Sequence, residues 1–478
     1  MLFNSFEFAV FFLIVLGLYR VLPHRGQNIM LLVASYVFYA SWDWRFAPLI
    51  FLCTAASYIC AGQIFKSSNN THRLWWLIAS LTVNLGVLGF FKYCNFFLEN
   101  LSGLLGLFGV KTAIPALSII LPMGISFFTF QALSYTIDIY RRTLKPMGTF
   151  WDFALFKAFF PLLMAGPIER ASHLLPQVVS PRRQDLSGFK QGGYLIFLGL
   201  FQKIFVADNL ARIVNPVFAD PASFQAVDIL VAIYAFTFQI FCDFAGYSNI
   251  ARGLGAVLGF RIMVNFNVPF FVTNVQEFWN RWHISLSSWI RDYLYIPLMG
   301  TLRKIPGNAR VYIALMISMS LIGLWHGASW HFVVFGMYYG ALLILYIIIR
   351  GRFSRLIDPK SAAGQAIWFW ARVLFMFNIT AFGMMLFRAR SMAHAGTILS
   401  SLFAFTDPSL VRWDFLSSAL GFAAPVILLQ YGEFRFKNIF FIIEKTHWAV
   451  RLAILALMAY MMFGWGVMTA EEFIYFQF

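Results

Sequence analysis

Long apolar runs separated by short polar segments dominate this sequence. A membrane-spanning helix needs about 20 mostly apolar residues, and six runs clearly meet that length. Six further runs are shorter or are interrupted by polar residues. We therefore predict an all-α polytopic membrane protein with about 12 spanning helices. The six clear runs are 46–65, 74–91, 114–137, 331–349, 415–432 and 452–470, and the others are 6–22, 28–42, 190–207, 226–243, 311–325 and 366–387.

Two further stretches are predicted to enter the membrane without crossing it. The run 150–165 is short, contains Lys157 and is interrupted by Pro161. The stretch 268–298 is too polar to span and too apolar to be a free loop. Broken backbone at membrane depth is tolerated only where protein or a water-filled cavity surrounds it. Both stretches are therefore predicted to be re-entrant helices. Since no linker or internal repeat divides the chain, residues 1–478 are predicted to form a single membrane domain.

The composition excludes two other classes of protein. Of the 478 residues, 60% are hydrophobic and only 12% are charged, whereas a soluble domain carries about 25% charged residues. An ordinary soluble enzyme is therefore excluded, and so is a disordered chain, which needs low hydrophobicity. No basic segment precedes the first apolar run, which also carries Glu7. We expect this run to be a retained span rather than a cleaved signal peptide.

The net charge of +16 is explained by topology and needs no nucleic-acid partner. Basic residues collect in the cytoplasmic loops of membrane proteins. If the N-terminus lies outside, 26 of the 36 Lys and Arg residues fall in predicted cytoplasmic loops and eight fall outside. The opposite orientation inverts this ratio. Both termini are therefore predicted to be extracytoplasmic.

Two histidines mark a candidate reaction site. His326 follows the apolar run 311–325 in GLWHGASWH, and His283 lies in FWNRWHISLSSW. An ionisable residue at membrane depth is a functional candidate, and imidazole is the usual general base near neutral pH. Each histidine equally fits a structural role as a hydrogen-bonding partner of a neighbouring helix. His331 lies about 140° around a helix from His326, so we expect no metal site.

Four charged residues crowd the aromatic middle of the chain: Asp243, Arg281, Arg291 and Asp292. Arginines there fit the phosphates of a cytoplasmic ligand. They fit equally well as partners of the carboxylates and of lipid headgroups, which is the more common arrangement. No GxSxG, P-loop or HExxH motif is present. Serine hydrolases, ATP-driven pumps and zinc proteases built on those motifs are therefore disfavoured.

Seven ordered segments together resemble the membrane-bound O-acyltransferase family. The resemblance covers nearly the whole chain. It is to the bacterial branch that modifies extracytoplasmic polysaccharides, typified by the membrane subunit of alginate O-acetylation. One small departure is Cys242, where the branch usually has an aromatic or similar residue before the Asp. The segments are MLFNSFEF (1–8), LLVASYVFYASWDWRF (31–46), LPMGISFFTFQALSYTIDIYRR (121–142), MAGPIERASHLLPQ (164–177), FCDFAGYSNIARGLGAVLGF (241–260), EFWNRWHISLSSWIRDYLYIPL (277–298) and GLWHGASW (323–330).

The resemblance implies roles for these residues. His326 matches the family's catalytic histidine and would act as general base. His283 matches a second site position and would hold the acyl chain or the developing oxyanion. The family uses a cytoplasmic acyl thioester and an acceptor reached from the other side, which implies a central tunnel with acetyl-CoA as donor and no bound cofactor. The residues expected to support the site are Trp325, Asp243, Arg281, Arg291 and Asp292.

The tail EEFIYFQF (471–478) allows two interpretations. Its aromatic residues fit a belt that anchors the helix end at the membrane interface. The tail also resembles the C-terminal motif of a small membrane peptide that accompanies the D-alanylating relatives. That resemblance implies that the tail enters the tunnel from outside and that Tyr475 is the first acceptor of the acyl group.

The function expected from the resemblance is acetyl transfer across the bacterial inner membrane, for O-acetylation of a polysaccharide such as alginate or peptidoglycan. An extracytoplasmic esterase-like protein of the SGNH type is expected to complete the transfer. One alternative is an exporter of D-alanyl or other acyl groups that uses a carrier-protein thioester. Another is a transporter without chemistry, but we find no paired broken helices in two halves of the sequence, which such a transporter would show.

Overall fold

The computed structural model describes residues 1–110, 115, 117–353, 361–469 and 471–474. All regular secondary structure in these residues is helical, which confirms the predicted fold class. The first ten α-helices are α1 (Phe6–Val21), α2 (His24–Asp43), α3 (Ala47–Lys66), α4 (Asn70–Leu88), α5 (Cys94–Leu107), α6 (Ile125–Tyr140), α7 (Phe150–Ala158), α8 (Phe160–Leu163), α9 (Ala171–Val179) and α10 (Leu186–Leu200).

The remaining helices follow in the same order. They are α11 (Asp208–Ala219), α12 (Ala226–Val257), α13 (Val275–Arg281), α14 (Ile284–Ile290), α15 (Ile296–Thr301), α16 (Ala309–His326), α17 (Trp330–Phe353), α18 (Ala362–Arg388), α19 (Met392–Leu402), α20 (Trp413–Phe436), α21 (Phe441–Lys445) and α22 (Trp448–Trp465). Three π-helical segments continue neighbouring helices, at Gly89–Tyr93, Phe201–Ala207 and Arg291–Tyr295, and short 3₁₀ helices lie at Trp44–Phe46, Pro221–Ser223 and Leu302–Lys304.

Each predicted apolar run overlaps a helix, and several differ from it in extent. Among its described residues, the run 114–137 becomes helical at Ile125, after Gly124, which takes a left-handed conformation (φ 70°). The run 452–470 is helical as far as Trp465, and the helical segment that contains 190–207 continues to Ala219. The helix predicted at 226–243 continues to Val257. In the described part of the chain, nine continuous helical segments are long and apolar enough to span a membrane, and His24–Lys66 joins α2 and α3 in one of them. The count of twelve spans stays a prediction.

The two predicted re-entrant stretches form only short helices. The run 150–165 divides into α7 and α8, with a break at Phe159, where the backbone leaves the helical region. The stretch 268–298 contains α13 and α14, a π-helical turn and the start of α15. None of these helices is long enough to cross a bilayer, which needs about 20 residues.

The chain divides into two compact units, and residues 1–192 with 251–263 form the first. Within it, buried polar side chains link α3, α4 and α6. Asn84 Nδ2 donates to Ser57 Oγ at 3.0 Å, and the hydroxyls of Ser80 and Thr136 lie 3.0 Å apart. Such small polar contacts hold helices together in lipid, where burial of apolar surface gives no net attraction.

A buried carboxylate fastens residues 260–263 to α9 within this first unit. Glu169 is fully buried, and its carboxylate accepts the backbone N–H of Met263 at 2.5 Å. It also pairs with His173 Nδ1 at 2.7 Å. Gln177 adds two hydrogen bonds to the backbone of Arg261. These contacts give Glu169, His173 and Gln177 of the segment MAGPIERASHLLPQ structural roles.

The second unit comprises residues 193–250 and the described residues beyond 263. Its tightest helix pair is α16 with α17, joined by residues 327–329. A methyl group added at Gly323 would lie 2.0 Å from the carbonyl oxygen of Phe332, and one at Gly336 would lie 2.1 Å from that of Met319. Glycine at both positions therefore allows the two backbones to approach closely, and this fixes the end of α16, where His326 stands.

Candidate active site

His283 stands at a strained backbone position that two neighbouring segments hold in place. It precedes α14 with φ 44° and ψ 53°, a left-handed conformation that non-glycine residues rarely adopt. The N–H of Ile284 donates to the carbonyl of Asn265 at 2.9 Å, and the N–H of Asn267 donates to the carbonyl of Arg281 at 3.0 Å. The side chain of His283 is fully buried. Backbone strain of this kind persists where the surroundings over-determine it, and it is typical of functional sites.

Asn265 fixes the tautomer of His283. Its Oδ1 lies 3.1 Å from His283 Nδ1 and accepts hydrogen bonds from the Ser285 hydroxyl (2.9 Å) and the Ser285 N–H (3.3 Å). The backbone N–H can only donate, so it assigns the oxygen of the Asn265 amide to this side. Nδ1 of His283 therefore carries the proton and donates, which makes Nε2 the basic nitrogen. His283 lies outside the helices that are long enough to span a membrane. Burial of its ring lowers the pKa of His283 to about 3, so the imidazole is neutral at physiological pH.

His326 ends α16 and faces the ring of His283. The two ring centroids are 6.4 Å apart, close enough for one small reacting group to lie between or beside them. His326 is 6% exposed. Gly327 permits the chain to turn directly after it, because a methyl group there would lie 2.1 Å from the ring of Phe332. The paired histidines come from α16 and from the segment before α14, which are 43 residues apart in sequence.

Aromatic rings enclose the histidine pair. Phe244 packs edge-on against His283 with centroids 4.7 Å apart, and Trp325 lies 5.8 Å from the same ring. Phe387 of α18 packs edge-on against His326 at 5.1 Å, and Phe335 of α17 lies at 6.0 Å. This enclosure keeps the local dielectric low, which strengthens any polar interaction with a reacting group.

A cavity of about 540 Å³ lies next to the pair, between the segment 276–295 and helices α16 and α17. Ile284, which follows His283, lines it, and so does Ile322, one helical turn before His326. Neither histidine lines the cavity itself. Its other lining residues combine apolar side chains with polar ones, which include Gln276, Asn280, Ser287, Ser288 and Ser318. Arg291 also lines it and provides a cationic group. The cavity therefore suits a long ligand that carries apolar and hydrogen-bonding groups and an anionic end.

Both arginines of the middle region pair with carboxylates on their own helical segment, and Asp243 pairs with a lysine. Arg281 binds Glu277 at 2.7 Å, one turn earlier on α13. Arg291 binds its neighbour Asp292 at 2.7 Å. Asp243 pairs with neither arginine and instead lies 2.8 Å from the ammonium group of Lys203. Thus His283, His326 and Trp325 come together, Arg291 reaches the cavity, and Asp243 belongs to a separate polar cluster.

The tail approaches the same aromatic enclosure. Phe473 is 2% exposed and packs against Phe244 at 5.5 Å and Tyr247 at 5.1 Å. The N–H of Ile474 donates to Asp243 Oδ2 at 2.7 Å. Tyr475 lies outside the described residues. The described end of the tail is therefore one aromatic ring, Phe244, away from His283.

No metal-binding cluster occurs in the described ranges of the chain. No group of three or more His, Cys, Asp or Glu side chains there is arranged to hold a metal ion. His331 Nδ1 contacts the hydroxyl of Ser329 at 2.8 Å. That contact gives His331 a local structural partner.

Comparison with known proteins identifies the family. The model of the membrane-bound O-acyltransferase family (MBOAT) matches residues 143–389, a range that contains both histidines of the pair. The probable alginate O-acetylase AlgI of Azotobacter vinelandii is 37% identical over 441 residues, which cover 90% of this chain and 85% of the relative. The chain belongs to the membrane-bound O-acyltransferase family. This confirms the resemblance stated above, and the protein is a multi-pass membrane acyltransferase.

Two further relatives of this MBOAT protein differ in how much of the chain they match. The peptidoglycan O-acetyltransferase of Helicobacter pylori is 32% identical over 443 residues, 86% of this chain and 81% of its own length. The teichoic acid D-alanyltransferase of Streptococcus thermophilus is also 32% identical, but over 233 residues, which cover 47% of this chain and 56% of the relative. The similarity to O-acetylating relatives therefore extends over more of the chain.

Three residues of the site carry no sequence signal that we recognised. Asn265 lies in an unremarkable loop, 18 residues before the histidine that it orients. Phe244 is one of 57 phenylalanines. Lys203 lies in the predicted span 190–207, and the structure buries it inside the helical segment Leu186–Ala219. Its charge is tolerated there because two carboxylates contact it.

Proposed function

We propose that this acyltransferase moves an acetyl group from cytoplasmic acetyl-CoA across the bacterial inner membrane, for O-acetylation of an extracytoplasmic polysaccharide. The observation that carries the proposal is the buried histidine pair, 6.4 Å apart beside a cavity of about 540 Å³. The relatives that match most of the chain are named for alginate and peptidoglycan acetylation. D-alanyl export remains the alternative, supported by relatives that match 47% of the chain.

The cavity fits the donor. Its walls combine apolar side chains with amides and hydroxyls, which suit the amide-containing pantetheine arm of acetyl-CoA, and Arg291 at its lining suits a phosphate. Arg291 is exposed and would exchange its partner Asp292 for that phosphate. Arg281 stays paired with Glu277, and its backbone carbonyl accepts the N–H of Asn267. The acetyl thioester would then lie near Ile284 and Ile322, within reach of the two imidazoles.

His326 serves as the general base in this proposal. It takes the proton of an acceptor hydroxyl as the oxygen attacks the thioester carbonyl, and the tetrahedral intermediate then expels the CoA thiolate, which is protonated. His283 has a basic Nε2, because its Nδ1 donates to Asn265. This tautomer does not fit the second of the two expected roles, since donation to an oxyanion would need a proton on Nε2, and it leaves packing against the acyl group as the role of His283. Trp325 closes the enclosure beside both rings.

Tyr475 is the first acceptor in this proposal. The contacts of its preceding neighbours support it, since Phe473 packs on Phe244 and Ile474 hydrogen-bonds Asp243. The tyrosine hydroxyl would lose its proton to His326 and form an acetyl ester. An extracytoplasmic esterase-like protein of the SGNH type would then take the acetyl group and pass it to the polysaccharide. Both termini lie outside in this arrangement, as the distribution of basic residues predicts.

Incubation of the purified protein with radiolabelled acetyl-CoA tests the proposal. We expect covalent label on the wild-type chain, mapped by peptide analysis to Tyr475. Tyr475→Phe should lose the label while it still binds acetyl-CoA. A D-alanylated carrier protein, supplied in place of acetyl-CoA, tests the alternative. Label from the carrier but not from acetyl-CoA would contradict the acetyl proposal, and label unchanged in Tyr475→Phe would contradict the carrier role of that residue.

A further inference from the structure

A buried cluster of three charged residues lies where α10 passes into α11. The ammonium group of Lys203 contacts Asp208 Oδ1 at 2.8 Å and Asp243 Oδ1 at 2.8 Å. All three residues are at most 8% exposed. Lys203 lies in the π-helical segment Phe201–Ala207, and such segments often mark functional sites. Charges at this depth are costly, so the cluster needs an explanation beyond the packing of helices.

The cluster holds the tail by its main chain. Asp243 Oδ2 accepts the N–H of Ile474 at 2.7 Å, and Lys203 Nζ donates to the carbonyl oxygen of Glu472 at 3.4 Å. Both contacts are to backbone atoms, so they fix the path of the chain whatever side chains the tail carries. Two more contacts to backbone atoms hold residues 465–467, which precede the tail. The N–H of Val467 donates to the carbonyl of Ile204 at 2.9 Å, and Asn209 Nδ2 donates to that of Trp465 at 2.8 Å.

The hydrogen bonding of the cluster also favours this interpretation. Two carboxylates share the ammonium group of Lys203, and Arg212 lines the adjacent cavity. The N–H of Ile474 supplies a donor to the second oxygen of Asp243. A polar cavity of about 250 Å³, lined by Lys203, Asp208, Gln239 and Asp243 together with Glu471 and Glu472 of the tail, provides space for hydration. The tail therefore completes the hydrogen bonding of a buried carboxylate, and the carboxylate in return orients the tail.

We propose that Lys203 and Asp243 are positioning residues, which clamp residues 472–474 and thereby direct the next residue towards the histidine pair. Only the last step of this inference, delivery of an acyl acceptor, rests on the proposed function. Phe473 lies between the two clamped positions and packs on Phe244, which contacts the ring of His283. The clamp thus fixes the described end of the tail against the aromatic enclosure.

The test changes the clamp from the tail, which leaves the helices intact. Ile474→Pro removes the N–H that Asp243 accepts, and Ile474→Val is the matched control that keeps it. The full chain in lipid nanodiscs is examined by hydrogen exchange over residues 466–473 and by acetyl transfer from acetyl-CoA. We expect at least tenfold faster exchange and at least tenfold lower kcat for Ile474→Pro, with the KM for acetyl-CoA unchanged. Ile474→Val should match the wild type in all three.

A second pair of variants changes the hydrogen-bond acceptor at residue 243 without altering the tail. Asp243→Asn keeps an acceptor oxygen, and Asp243→Leu does not. We expect tail exchange to rise in Asp243→Leu and to stay near wild type in Asp243→Asn. This pair separates loss of the hydrogen bond from the restriction that proline imposes on Phe473.

Two outcomes would overturn the proposal. Exchange at the wild-type rate in both Ile474→Pro and Asp243→Leu would mean that the cluster does not hold the tail. Faster exchange with an unchanged kcat would mean that the cluster has a structural role only. The proposed function is tested by a separate variant. If His326→Ala still transfers acetyl groups, the proposed chemistry fails, whereas the exchange results continue to measure the clamp.

Discussion

Gly323→Ala tests whether the close approach of α16 and α17 sets the geometry of the histidine pair. The new methyl group would lie 2.0 Å from the carbonyl oxygen of Phe332. Ordinary contact begins at 3.4 Å, so the backbones must separate by about 1.4 Å. Because Gly323 lies one turn before His326, this displacement reaches the imidazole. A misplacement of about 1 Å can lower a rate by about 100-fold, and overpacking of this kind costs about 1–3 kcal/mol of stability.

Acetyl transfer by purified Gly323→Ala and its thermal unfolding midpoint are the measurements. We expect transfer to fall about 100-fold, with a lower midpoint. The control is Gly421→Ala in α20, where the added methyl group meets nothing within 4 Å. The control should retain wild-type activity. Activity of Gly323→Ala within twofold of the wild type would refute the argument that helix contact determines the position of His326.

Two further predictions concern the polar partners of the histidines. Asn265→Leu removes the acceptor for His283 Nδ1 and should lower acetyl transfer by about tenfold or more. Asn265→Asp keeps an acceptor oxygen and should retain more activity in the same assay. Equal activity of the two variants would contradict the role of Asn265 in orienting His283. The hydrogen bond to Glu169 raises the pKa of His173, so the pair stabilises the fold below the usual histidine pKa of about 6.5 and loses this contribution as pH rises through the raised pKa. Thermal unfolding of wild type and His173→Gln at several pH values checks this prediction. The wild type should be the more stable protein at about pH 6, and the difference should shrink towards about pH 9. A difference that does not change with pH would contradict the stabilising role of the His173–Glu169 pair.

Most of the fold follows from the apolar pattern, because spanning helices have one strong requirement in length and hydropathy. The differences arise where that requirement is relaxed. Asp243 interrupts the apolar run of α12, so the predicted span ends there, yet the helix continues to Val257 and the carboxylate pairs with Lys203. The separation of 40 positions between these two partners leaves no periodicity that would reveal the pair.

Where contacts are local or motif-bound, the sequence singled out residues that the structure brings together. The two histidines stood out because ionisable residues at membrane depth are few and costly. The carboxylates expected as partners of the arginines are Asp243 and Asp292, whereas Arg281 pairs with Glu277, four residues earlier on the same helix. The dependence of His283 on Asn265 does not follow, since the backbone between them turns through 18 residues without a regular period. Contacts of that kind become visible only in three dimensions.

The central claim is that His326 removes the proton of the acceptor hydroxyl during acetyl transfer. The most direct measurement is the single-turnover rate of acetyl transfer from acetyl-CoA in proteoliposomes that contain wild type or His326→Ala, with thermal unfolding of both as the check on folding. The account predicts that the rate falls at least about 100-fold in His326→Ala, in line with loss of a general base, while the unfolding midpoint stays close to that of the wild type. A rate within twofold of the wild type would contradict it.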